Sequence, residues 1–163
     1  MAKLDAQTIA RFQQYVKDVD EAVNHLEFLF DNLGENLNVD FSRDSLVEFE
    51  RLFWKHVDAI PNDLSDAEHL AILIGQYLGL MIVKETGAKW IQCIDQNPMF
   101  GQPCLDGFGN KEWDRIYPVS IAINLRNLPK TNPTFPGVRE KQVFAKQYDK
   151  AVKIYEKTQA ATS

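Results

Sequence analysis

The feature that most constrains the fold of this chain is a mainly apolar segment at residues 70–83. Its apolar residues lie almost all round a helix, which predicts a central helix over residues 66–86 that is covered on every side. Gly75 and Gly79 are four residues apart and share one helical face. Each glycine costs a helix about 1 kcal/mol relative to alanine, so we expect another backbone to approach this face closely. The segment is too short to span a bilayer.

A long amphipathic helix is predicted over residues 5–34. Apolar residues recur there at intervals of three and four, which places them on one stripe, and Gly34 is a typical helix stop. The stripe favours packing on a globular core. The same spacing would also serve a coiled coil or a homodimer.

Two capping boxes, in which a serine is followed three residues later by a glutamate, predict further helix starts. Ser45 and Glu48 would open a helix over residues 45–60. The same pattern at Ser65 would open the central helix. A final amphipathic pattern predicts a C-terminal helix over residues 138–158.

Beyond the central helix the apolar period becomes alternating, which predicts a sheet over residues 88–126. Its strands would lie at residues 89–94, 103–105 and 116–125, and the last has the clearest alternation. Pro118 has no N–H to donate, so it belongs at the start or edge of that strand. We therefore expect one α+β domain over residues 1–163. It would have a helical N-terminal half, an antiparallel sheet of three to four strands and a C-terminal helix.

Charge and composition narrow the classes of function. The net charge of −5 disfavours nucleic acid as a partner, because phosphate binding needs a basic face. Residues 1–64 carry 13 acidic and 6 basic side chains, net −7, whereas residues 137–163 carry 3 and 6, net +3. This uneven charge reflects either solvated helix faces or, in the N-terminal part, an acidic surface that binds a basic partner. The polar start does not resemble a signal peptide and no segment predicts a membrane span, so we expect a cytoplasmic protein.

No motif predicts catalysis, a cofactor or a metal. The histidines His25, His56 and His69 do not stand at ligand spacing. The glycine-rich stretch at residues 101–111 lacks the Gly-Lys-Ser/Thr ending of a phosphate loop. The two cysteines are predicted to be buried thiols, because nothing local supplies a base or a positive setting.

Aromatic and charged residues crowd the predicted loop before the last strand. Tryptophan, tyrosine and arginine are the residue types that dominate binding hot spots. The candidate binding residues are Phe100, Phe108, Trp113, Asp114, Arg115 and Tyr117. The same aromatics would alternatively cover the open face of a small sheet.

Three segments together resemble small bacterial single-domain proteins of uncharacterised function, some of them connected with toxin–immunity gene clusters. The resemblance spans roughly residues 37–126. It is carried by Val39-Asp40-Phe41-Ser42 before Ser45-Leu46, by Gly75-Gln76-Tyr77-Leu78-Gly79, and by Gly87-Ala88-Lys89-Trp90 before Tyr117-Pro118-Val119. It implies structural motifs (a helix cap, a packing glycine pair and a core tryptophan) and no catalytic residue.

Three classes of function follow from these observations. The first is a non-enzymatic protein-interaction module, immunity-like or regulatory, that uses the acidic helices and the aromatic loop at residues 100–117. The second is a small-molecule or peptide-binding module with a pocket between the sheet and the helix of Gly75 and Gly79. The third is an enzyme whose site residues are scattered along the chain.

Overall fold

The computed structural model describes residues 3–57, 64–94, 99–111, 113–127 and 141–163. These residues form a mostly helical α+β arrangement with a small antiparallel sheet. Within the described residues the elements are α1 Ala6–Asp18, α2 Ala22–Asn32, α3 Arg43–Val57, α4 Leu64–Thr86, β1 Lys89–Gln92, β2 Pro103–Asp106, α5 Pro118–Asn127 and α6 Val143–Thr162.

The helix α4 is the centre of the fold, as its sequence predicts. It contacts α2, α3, α5 and α6. Tyr77, Leu78 and Ile74 are fully buried, and the core continues into α2, α3 and α6 through Phe30, Phe53 and other apolar residues. No described helix is both long and apolar enough to cross a membrane. The side chain of Ser65, the predicted cap, lies outside the described residues.

The predicted helix over residues 5–34 is interrupted. A 3-10 turn at Val19–Glu21 separates α1 from α2. α2 buries Ala22, Leu26 and Phe30 against the core, whereas no residue of α1 is fully buried. α1 instead contacts β1.

The capping box predicted at Ser45 is wrong. α3 begins earlier, at Arg43, because Ser42 accepts a hydrogen bond from the N–H of Ser45 through its Oγ at 3.2 Å. Ser45 lies inside the helix, where its hydroxyl is 2.8 Å from that of Tyr77. The predicted end of this helix, at residues 58–60, lies outside the described residues.

The strand predicted at residues 116–125 is also wrong, because α5 begins at Pro118. Proline is favoured at the first position of a helix, where its missing N–H has no helical partner and its φ is already helical. Ile116 keeps one isolated bridge to Leu105. The described part of the predicted sheet region, 88–126, therefore has two strands, β1 and β2, where three or four were expected.

The glycine face of α4 makes the close contacts that its sequence predicts. A Cβ built on Gly75 would lie 2.6 Å from the Cα of Val119, so the backbone of α5 occupies that space. At Gly79 the neighbour is the ring of Trp90 instead of a backbone. Gly75 therefore sets the distance between α4 and α5, and Gly79 makes room for a half-buried tryptophan on β1.

The start of α6 is stabilised from another helix. Gln142 precedes α6 with a left-handed backbone, φ 51°, and no capping hydrogen bond from its side chain. Glu50 of α3 is buried and its Oε2 accepts a hydrogen bond from the N–H of Phe144 at 3.0 Å. Burial raises the pKa of Glu50 above its ordinary value. The first residues of the predicted C-terminal helix, 138–140, lie outside the described residues.

Candidate ligand cleft

The helix α1 is held against the β1–β2 pair at two points. Near its start, the Nε2 of Gln92 donates hydrogen bonds to the carbonyl of Thr8 at 3.1 Å and to that of Gly101 at 3.3 Å. Near its end, the ring of Tyr15 meets that of Trp90 edge-on, with centroids 5.1 Å apart. A cleft remains because α1 is attached to these strands and is not sunk into the core.

This cleft has a volume of about 460 Å³. Clefts of roughly 300–1,000 Å³ are typical of small-molecule sites. From α1 it is lined by Thr8, Arg11, Phe12 and Tyr15. These residues are mostly three or four apart, so they share one face of the helix.

The remaining lining is mainly apolar. Ile72 comes from α4, and Val119 and Ile123 come from α5. Phe100 lines it from the segment before β2, and Pro103 lines it from the first position of β2. The close packing at Gly75 therefore helps to place the cleft, because it positions the start of α5.

The hydroxyl of Tyr15 is the least satisfied polar group of the cleft lining. It is buried and has no hydrogen-bond partner among the described residues. Burial raises the pKa of Tyr15 well above its ordinary value, so the phenol stays protonated. A buried polar group without a partner costs about 1–3 kcal/mol.

Among the described residues of the cleft lining, Arg11 is the charged one. It is exposed, and it makes no hydrogen bond or ion pair with other described residues. The N–H of Thr8 is the main cause of the lowered pKa of Asp5, to which the charge of Arg11 contributes less. No described residue therefore occupies the guanidinium of Arg11.

The predicted aromatic site is divided among separate places. Phe100 is half-buried and lines the cleft. Phe108 is 1% exposed and belongs to the core. Trp113 is 75% exposed, and the Nζ of Lys111 lies 5.5 Å from its ring centroid.

The charged and polar members of the predicted site lie elsewhere. The Oδ2 of Asp114 accepts the N–H of Lys111 at 3.2 Å, and Asp114 borders a smaller depression of about 250 Å³ beside α6. The Nε of Arg115 lies 3.4 Å from the Oδ2 of Asp106. The hydroxyl of Tyr117 donates to the Sγ of Cys93 at 3.4 Å. Of the six predicted binding residues, Phe100 therefore lines the cleft, and the other five lie elsewhere.

The two cysteines are buried free thiols, which confirms the sequence prediction. Burial raises the pKa of Cys104 to about 11, so this thiol is almost entirely protonated near pH 7. Burial likewise raises the pKa of Tyr117 beside it. A nucleophilic cysteine requires the thiolate, so Cys104 suits packing and not covalent chemistry.

Metal-ligating side chains do not gather in the described part of the chain. Among those residues, no group of three or more His, Cys, Asp and Glu is placed to hold an ion. The Nε2 of His56 lies 2.9 Å from the Oε1 of Glu35, so this histidine has a hydrogen-bond partner.

Sequence reasoning missed the α1 side of the cleft. It assigned the whole apolar stripe of residues 5–34 to core packing. A weak signal existed, because Arg11 and Tyr15 are one turn apart and border that stripe. This signal is also typical of any solvated helix edge, so it does not by itself indicate a site.

Comparison with protein family models, with curated proteins and with solved structures finds no significant match to this chain. The resemblance to small bacterial domains therefore stays a prediction. The cleft and the exposed surface are therefore the features of the structure that bear on function.

Proposed function

We propose that the protein is a binding module that takes a small, mainly apolar molecule in the cleft beneath α1. The observation that carries this proposal is the cleft itself, with about 460 Å³ of space and lining from α1, α4, α5 and the approach to β2. The second class of function drawn from the sequence also placed a pocket beside the glycine-bearing helix, and Ile72 of that helix lines the cleft.

The chemistry of the lining favours binding over catalysis. General acid–base catalysis near pH 7 needs a group whose pKa is close to that pH. The described lining contains no Asp, Glu, His, Cys or Lys, and burial raises the pKa of Tyr15 well above its ordinary value. Tyr15 therefore does not exchange a proton readily near neutrality.

Filling the cleft tests this proposal. Ile72 is half-buried and lines the cleft, so Ile72→Trp should occupy the space of a ligand without disturbing a fully buried position. Ile94 is 68% exposed and is not part of the lining, so Ile94→Trp is the matched control. Both variants and the unmodified protein would be screened against a fragment set by ligand-observed NMR.

The expected result is a set of fragments that bind the unmodified protein and Ile94→Trp but not Ile72→Trp. Amide shifts on binding should map to α1 and α5. Fragments that bind all three proteins alike, or shifts confined to other elements, would contradict the proposal.

A second candidate function is protein binding through the loop that bears Trp113. Its support is the 75% exposure of that tryptophan, a residue type enriched at hot spots. The partner would be another protein, or a second copy of the chain in a homodimer. Trp113→Ala should weaken a purified partner's affinity at least 10-fold, whereas Phe28→Ala, at a residue 70% exposed on α2, should not. Equal affinities for both variants would exclude this surface.

A further inference from the structure

We infer that the ligand of the α1 cleft is an aromatic or aliphatic molecule that carries a carboxylate or a similar anionic group. This inference rests on the proposed function, since it names the chemical class that the same cleft would hold. It depends on the charges of the described lining residues and on the position of Arg11 on α1.

The charge of the lining differs from that of the whole protein. The chain has 23 acidic and 18 basic residues, a net charge of −5. Among the described residues, the cleft is lined by the cation Arg11 and by no carboxylate. An anionic group entering it would meet a guanidinium that no described residue pairs, and it would not face an acidic side chain of the described lining.

Arginine suits a carboxylate for a geometric reason. Its planar guanidinium can donate two parallel hydrogen bonds to the two carboxylate oxygens, and such charge-assisted bonds are stronger than neutral ones. Tyr15 follows Arg11 by one helical turn and lies on the same side of α1. Its hydroxyl is buried and does not face the open cleft, so the ring of Tyr15 adds to the apolar lining and the charged contact rests on Arg11.

The rest of the lining suits an apolar body. Phe12 and Phe100 bring aromatic rings to the cleft, and Ile72, Val119 and Ile123 bring aliphatic side chains. Aromatic ligands gain from offset or edge-to-face contacts with such rings. A cation would also be attracted by ring faces, but the charge of Arg11 opposes it.

Three probes of nearly equal size separate these possibilities: 1-naphthoate, 1-naphthylmethanol and 1-naphthylmethylammonium. Each would be titrated into the full chain at pH 7 by calorimetry, with Ile72→Trp as the blocked control. We expect 1-naphthoate to bind about 10-fold more tightly than the alcohol, and the cation to bind most weakly.

Arg11→Gln should reduce the preference for 1-naphthoate over the alcohol to less than about 2-fold, without changing the affinity of the alcohol. Lys17→Gln removes the same charge from the same helix at an exposed residue that does not line the cleft. It should leave the preference unchanged.

The possible negative results have different consequences for the inferred ligand class and for the proposed function. Equal binding of the acid and the alcohol, or loss of the preference in Lys17→Gln as much as in Arg11→Gln, would overturn the anionic ligand and leave a ligand cleft standing. Unchanged binding of 1-naphthoate in Ile72→Trp would overturn both the inference and the proposed function. A titration in which none of the probes binds saturably would overturn the inference.

Discussion

Gly75 provides the sharpest test of how this fold is packed. A Cβ at this position would lie 2.6 Å from the Cα of Val119, 2.8 Å from its N and 2.9 Å from the carbonyl oxygen of Pro118. Carbon atoms in contact are normally about 3.5–4.0 Å apart. All three neighbours are backbone atoms, so no side-chain rotation relieves the contact. In Gly75→Ala, α5 has to move away from α4 by about 1 Å.

The magnitude follows from two opposing effects. Overpacking in a close-packed interior costs about 1–3 kcal/mol and occasionally more, and a rigid backbone neighbour places this site at the upper end. Replacing glycine by alanine inside a helix returns about 1 kcal/mol. We therefore expect Gly75→Ala to lower the free energy of unfolding by about 2 kcal/mol.

Urea denaturation followed by circular dichroism measures this difference, provided that the slope of the free energy with urea is unchanged. Gly79→Ala is the comparison, because it gains the same helix propensity but meets the ring of Trp90, a side chain that can turn. It should lose less stability than Gly75→Ala. A Gly75→Ala protein as stable as the unmodified one, or more stable, would refute the backbone contact.

Three further predictions concern other parts of the molecule. Glu50→Ala should lower the free energy of unfolding by about 1–3 kcal/mol, because the N–H of Phe144 loses its buried acceptor. Glu50→Gln keeps an acceptor and should lower the free energy of unfolding much less. Burial raises the pKa of Glu50, so the folded state holds this proton more tightly and the contribution of Glu50 to stability falls as pH rises from about 4.5 through its folded pKa. Urea titrations across that window should show Glu50→Gln gaining on the unmodified protein as pH rises, and a constant difference would contradict this. Tyr15→Phe should raise the free energy of unfolding by up to about 1–3 kcal/mol, because it removes a buried hydroxyl without a partner among the described residues; a loss of stability in thermal unfolding would show that the hydroxyl is paired. Phe108→Ala should lower the free energy of unfolding by about 3–5 kcal/mol, because Phe108 is 1% exposed. Trp113→Ala should lower it by less than about 0.5 kcal/mol, because Trp113 is 75% exposed. Equal losses of stability in the two variants would contradict this placement.

Local patterns predicted the parts of the fold whose causes are local. The segment at residues 70–83 is apolar all round, and a helix of that kind has to be covered on every side. The glycine pair indicated close approach, since its cost inside a helix needs a compensating contact. Both predictions agree with the position of α4.

These sequence patterns predicted the wrong structure where a segment is compatible with both a strand and a helix. Alternating Val119, Ile121 and Ile123 favour a strand, yet Val119 and Ile123 are also four apart and share a face of α5. Pro118 suits the edge of a strand and the first turn of a helix equally well. Packing against Gly75 of α4 is compatible with the helix, and this contact is remote in sequence.

The sequence by itself determined a central helix with a face for close packing, buried thiols, and an aromatic-rich segment before α5. The tertiary structure alone decided which of those aromatics meet a ligand-sized space, separating Phe100 from Phe108 and Trp113. The physical reason is that a cleft is the volume left between elements. Its existence depends on how far α1 stands from α4 and α5, and that distance is set by contacts such as Gln92 to Thr8, which join residues far apart in the chain.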